Sequence, residues 1–290
     1  MAKQTPAHPI NRFSLFLIVM LLLGTAKGYS QESAEARDIR FGPYLGLSGG
    51  VDLSRLRDWA VSPLIYKGPL FLGKADLTNE GRKWDITWVE FGFGTGEISA
   101  TRGAIYNSDV NTFYYGGSFL RQVWKAKKPA LDLRTGLVFH GISNFRQTPA
   151  FLNAASVVES LNTLMLGARL NWRIKKDFSP GHFLFFKWRG GLRHYKLSTQ
   201  FNLPLLHTAW RPDFSYLDDF SAGDTTVGRN NDLSLGGLRL QAKTDFTYYL
   251  RNGNAFRFSY WWDVQQSPGE LNRLETAHHI GQLSLMVRLN

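Results

Sequence analysis

The chain has 290 residues, a net charge of +11, 14% aromatic residues, 28 glycines and no cysteine. Without Cys there are no disulfides, thiolate metal sites, Cys nucleophile or lipobox. Beyond the N-terminus no run of 18 uncharged apolar residues occurs, which excludes a helical membrane protein. Abundant Phe, Trp and Tyr at a mean hydropathy near zero suit a barrel, whose hydrophobicity is hidden in alternation.

In chain order, residues 1–30 read as a cleaved secretory signal: Lys3 and Arg12 precede a short apolar run over 14–23, and Gly28 and Ser30 supply small residues before Gln31. Removal of Lys3, Arg12 and Lys27 lowers the net charge from +11 to +8. On an exported chain that charge points away from nucleic acid and toward anionic lipid, an anionic solute or an acidic partner. Residues 31–290 read as one domain of strands.

The first predicted strand, 41–53, places Phe41, Leu45, Leu47, Val51 and Leu53 on one face. In the second, 61–75, Pro63 and Pro69 interrupt the ladder. The third, 83–98, changes phase between Trp84, Ile86, Trp88 and Val89, Phe91, Phe93, which predicts a bulge near Trp88. A fourth covers 112–125 and a fifth starts at Leu131. The sixth sets Leu164, Leu166, Leu170 and Trp172 against Arg169, Arg173 and Lys175. A seventh, 184–193, sets Leu184, Phe186, Trp188 and Leu192 against Lys187, Arg189 and Arg193. The eighth and ninth form a hairpin over 233–264, turning at Asn252-Gly253-Asn254, and the tenth covers 283–289.

Several of these segments run to about ten residues or more, enough to cross a bilayer at a tilt. Their connections alternate: short at 76–82, 126–129, 176–181 and 252–253, long at 55–60, 99–111, 143–159, 202–232 and 266–279. Short periplasmic turns, long external loops and an even strand count define an all-β, transmembrane, antiparallel up-and-down β-barrel of about ten strands, with eight to twelve open. The soluble alternative is a secreted β-sandwich.

Residues 41–290 resemble bacterial outer-membrane β-barrels in general, through the alternation and the terminal strand; the usual terminal aromatic is replaced by Asn290. The resemblance implies residence in the bacterial outer membrane, with outer-membrane lipid and lipopolysaccharide as surroundings. No cofactor or metal motif is present.

Within such a barrel Arg169, Arg173, Lys175, Lys187, Arg189, Arg193, Arg239 and Lys243 would point inward, against few inward acids: Asp132, Asp245 and Asp263. A lumen of one sign would bind or pass anions; a narrow barrel would instead be filled by these side chains. The run Phe139-His140-Gly141-Ile142-Ser143-Asn144 resembles the His-x-Ser-Asn motif of outer-membrane lipid A deacylases, in which Ser is the nucleophile, His its base and a later Glu orients the His. That resemblance implies roles for His140, Ser143 and Glu159. The spacing here is His-x-x-Ser, which puts His140 and Ser143 on opposite faces of a regular strand. Omptin-family proteases are a weaker likeness, through Asp218, Asp219 and His207. His278 and His279, being adjacent on a strand, face opposite ways.

The 202–232 segment, with Trp210, Phe214, Tyr216 and Phe220, is suited to covering the barrel mouth or gripping an envelope protein. The expectation is a non-enzymatic integral outer-membrane barrel serving as an accessory or structural subunit of an envelope complex. The alternatives are a small anion-selective channel with a basic lumen and a lipid A deacylase-like hydrolase.

Overall fold

The computed structural model describes residues 41–102, 104–126, 130–150, 156–179, 181–183, 186–188, 190–212, 231–269 and 272–289. The signal-peptide reading of 1–30 lies outside them. Within them the strands are β1 (Gly42–Asp58), β2 (Ser62–Glu80), β3 (Trp84–Arg102), β4 (Ala104–Lys125), β5 (Leu131–Gln147), β6 (Ser156–Phe178), β7 (Gly181–Phe183), β8 (Phe186–Trp188), β9 (Gly191–Pro212), β10 (Asn231–Leu235), β11 (Leu238–Tyr249), β12 (Ala255–Gln266) and β13 (Leu274–Arg288). Ten of them pair in sequence order, all antiparallel, and β1 against β13 closes the ring. Closure removes the free edges of the ten-strand ring, the condition for a sheet to sit in lipid.

β7 and β8 pair only with each other, between β6 and β9. β10 lengthens β11 along β9, and the two are separated by Gly236 and Gly237, both at positive φ (106° and 94°). A Cβ on Gly237 would stand 2.4 Å from the Gln266 carbonyl oxygen, so glycine alone fits that close approach.

The period-two pattern decides which face is which. Phe71, Trp88, Phe258 and Leu283 stand on the exposed outer face, while Asp52, Arg134, Arg239 and Asp263 are buried inside. Apolar outside and charged inside is the reverse of a sandwich core and is the distribution of a membrane barrel. The predicted bulge is present: the ladders of β3 shift around Trp88 and Val89, and both residues, although adjacent, face outward. At Pro69 the ladder to β3 is broken between Lys67 and Leu70, which accommodates a residue without N–H.

Three expectations need correction. The predicted seventh strand over 184–193 is misplaced: 186–188 form β8, off the ring, and only 191–193 belong to a barrel strand, as the start of β9. Alternation continues past it, with Tyr195, Leu197, Thr199, Phe201 and Leu203 against Lys196, Ser198, Gln200 and Asn202, and this later run is β9. The 202–232 segment is therefore not one loop: it is strand to Pro212 and again from Asn231 to Leu235, and 213–230 lies outside the described residues. Likewise 55–60 and 99–111 are mostly strand, with Arg102 opposite Ala104. For the last two the reason is the same. Strands of 12 to 23 residues exceed the roughly 9–11 needed to cross a bilayer, and their ends carry polar side chains that read as loop while the backbone stays paired.

Candidate functional site

The barrel end bearing Gly42 and Arg288 is here the terminal end, and the opposite one the far end. At the terminal end Asp132 accepts from Arg134 Nε (2.8 Å), Asn171 Nδ2 (2.8 Å) and Arg173, and Arg134 reaches on to Asp85 (2.8 Å). Glu80 takes Lys196 and the Tyr249 hydroxyl (2.6 Å), and Asp76 takes Arg257 at 2.8 Å. Midway, Lys74 meets Glu90 at 2.6 Å, and Ser259 donates to Asp245 at 2.6 Å. Above them Arg239 holds Asp263 through Nε (3.1 Å) and Nη2 (2.6 Å), and Asp52 receives the Tyr114 hydroxyl (2.9 Å) beside His278 Nδ1 (2.7 Å).

At the far end Asp58 binds Arg146 and Arg211 (2.6 Å), and Glu159 binds Arg146 (3.2 Å) and Asn144 (3.0 Å). Beside this cluster lies an apolar layer: Leu56, Tyr66, Leu70, Ile98, Val110, Leu161 and Leu274, all buried, drawn from β1 to β4, β6 and β13. Hydrophobic packing and charge pairing together fill that cross-section.

Among the described residues the lumen is not basic on balance. To Asp132, Asp245 and Asp263 the structure adds Asp52, Asp58, Asp76, Glu80, Asp85, Glu90 and Glu159, all turned inward. Those acids were missed because several sit on strand ends that read as turns or loops. The inward cations Lys74, Arg134, Arg146, Arg169, Arg173, Lys196, Arg211, Arg239, Lys243 and Arg257 each lie near one of these carboxylates, and a buried charge without such a partner is costly.

The predicted anion-binding residues divide. Arg169, Arg173, Arg239 and Lys243 point inward; Arg169 donates to Gln200 Oε1 at 2.6 Å and lies 3.7 Å from Asp85. Arg193 stands opposite Lys176 at the terminal end of β9. Lys187 belongs to β8, opposite His182 and off the ring, and Arg189 lies outside the described residues.

The deacylase constellation is not brought together. His140 is inward, its Nδ1 2.6 Å from Arg239 Nη2. Ser143 is on the outer face, hydrogen-bonded to Ser160 (3.1 Å) in a cluster with Tyr115 and Asn162. Glu159 is inward but opposite Asn144, four residues along β5 from His140. His207 faces the lumen and bonds Thr163 Oγ1 at 2.8 Å; Asp218, Asp219, Phe214, Tyr216 and Phe220 lie outside the described residues. His278 and His279 do face opposite ways, the second toward Tyr260 on the outer surface (2.7 Å). Among the described residues no group of three or more His, Cys, Asp or Glu could hold a metal ion.

Mid-lumen there remains a small cavity of about 50 Å³, lined by His140, Trp261, Lys243, Glu90, Asp263 and Arg169 among others. A second, polar cavity on its terminal side shares Thr87, Glu90, Arg169 and Lys243.

No family model matches the chain, and no curated protein does. Similar solved structures include the outer membrane protease OmpT from Escherichia coli, at 9% identity and TM-score 0.48, covering 85% of this chain and 95% of that one. The translocator domain of autotransporter NalP from Neisseria meningitidis follows at 10% and 0.37, covering 95% and 96%. A Pseudomonas aeruginosa FadL homologue is similar at 9% and 0.29, covering 86% and 91%. Likeness at that level carries no argument about activity. The architecture itself, a closed ten-strand antiparallel barrel, stands on the strand pairing and is that of bacterial outer-membrane β-barrels.

Proposed function

We propose that this chain is a non-enzymatic integral barrel of the bacterial outer membrane, exported by residues 1–30, which serves as a structural or accessory subunit of an envelope complex. The observation that carries the reading is the filled far end: the Asp58, Arg146, Arg211 and Glu159 cluster and the apolar layer of Leu56, Leu70, Ile98 and Leu161 occupy one cross-section. Apolar side chains and paired charges that meet there favour a filled lumen over an open path for a solute. The separation of His140 from Ser143 supports the non-enzymatic part. Function then falls to surfaces, and the part of the predicted 202–232 partner segment that lies between β9 and β10 is where a partner is sought.

Crosslinking in intact cells, with photoreactive residues at 213–230, tests this. Recovery of a defined envelope protein is expected. A monomer with no specific adduct, together with a phenotype-free deletion of 213–230, counts against the reading.

A further inference from the structure

The mid-lumen cavity presents donors and has its acceptors already engaged. Arg239 Nη2 can only donate, so His140 Nδ1, 2.6 Å away, accepts and the ring proton sits on Nε2. That Nε2 has no partner in the protein, and His140 is 4% exposed. Trp261 Nε1 is a donor only, is likewise without a partner, and its residue is 8% exposed. Lys243, whose ammonium lies 4.7 Å from the centre of the Trp261 ring, comes no nearer than 3.7 Å to its acid Asp245. Lys74 adds a second ammonium 4.1 Å from the same ring.

The two carboxylates that line the cavity are spoken for. Asp263 accepts from Arg239 and from Gln241 Nε2 (2.9 Å), and Glu90 faces Lys74 at 2.6 Å. The remaining cations, Lys243 and Arg169, have only 3.7 Å contacts to acids. Unpaired buried N–H groups are costly, and an occupant that only accepts would satisfy them. Lys243 and Arg169, loosely paired beside these free N–H donors, favour an occupant that carries negative charge.

We infer that the cavity between His140, Trp261 and Lys243 is an occluded binding site for a small anion of halide or simple oxyanion size. The ligand is held by one ammonium and two ring N–H donors, and the apolar layer shields it from the far end. The site stands whether or not the chain has a protein partner, since it uses only residues inside the lumen.

The test uses the full chain folded into detergent micelles in sodium bromide, then crystallised for anomalous diffraction at the bromine edge. One bromide is expected in the cavity, within hydrogen-bond reach of Lys243 Nζ and at least one ring N–H. Bromide line broadening in solution should weaken by about tenfold in apparent affinity for Lys243→Met, the effect of losing one hydrogen bond to a charged group. Trp261→Phe keeps an aromatic ring beside the ammoniums and removes only the N–H, so it tests the site even where Lys243→Met fails to fold. Displacement by chloride or by inorganic phosphate would support the site and tell halide from oxyanion. Water alone in the cavity, bromide only on the outer surface, or binding unchanged in Trp261→Phe with Lys243→Met folded and equally competent would overturn it.

Discussion

Arg239 on β11 grips Asp263 on β12 through two parallel hydrogen bonds, 3.1 Å and 2.6 Å, and both residues are within 1% of complete burial. The same guanidinium donates to the His140 carbonyl oxygen (3.1 Å) on β5, so one side chain spans the lumen. A bidentate pair of this kind is oriented as well as charged, and it ties together walls that are not neighbours in the ring.

Removing one partner of that pair should cost far more than removing both. Arg239→Leu or Asp263→Leu leaves a buried charge uncompensated, with an expected loss of about 3–5 kcal/mol, whereas the double replacement should recover much of it. Urea unfolding of the three variants in micelles measures this. Additive single losses would mean that the pair is not coupled.

A charge on the outer face should be costly where the same charge inside is not. Leu166 lies midway along the outward run of β6, so Leu166→Arg is expected to lose about 2–4 kcal/mol of folding stability in lipid vesicles. A soluble protein would lose little at so exposed a position. A neutral result in vesicles would argue that this face does not meet lipid.

The filled lumen predicts electrical silence. In planar bilayers the folded chain should give no steady single-channel current at either low or high salt, because buried apolar side chains from β1 to β4, β6, β9 and β13 cluster at the far end. Regular anion-selective openings would restore the channel reading.

Ser143→Ala should leave lipid A acylation unchanged by mass spectrometry, and stability should move by no more than about 1 kcal/mol, the worth of an ordinary hydrogen bond. Ser143 bonds Ser160 on the outer face, with its back to His140. Acylation that depends on Ser143 would reopen the deacylase assignment.

Alternation was enough to assign the outward residues on most strands, from Leu45 and Leu47 on β1 to Leu283 and Leu285 on β13, and to place the bulge at Trp88. It also put His140 and Ser143 on opposite faces before any coordinates. It failed at the ends of strands and at 186–188, where a short strand paired only with β7 continues the period of the spanning strand that begins at Gly191.

Which face of each strand meets lipid is a local property: side chains alternate, so composition at odd and even positions settles it, and the barrel class follows from the sequence alone. How the lumen is neutralised is not local. Asp58 meets Arg211 across 153 residues of chain and Arg257 meets Asp76 across 181, and such partners are set by the stagger of the closed ring. Only the tertiary structure could turn an apparent stripe of arginines into a balanced, closed interior, and leave His140, Trp261 and Lys243 around one cavity.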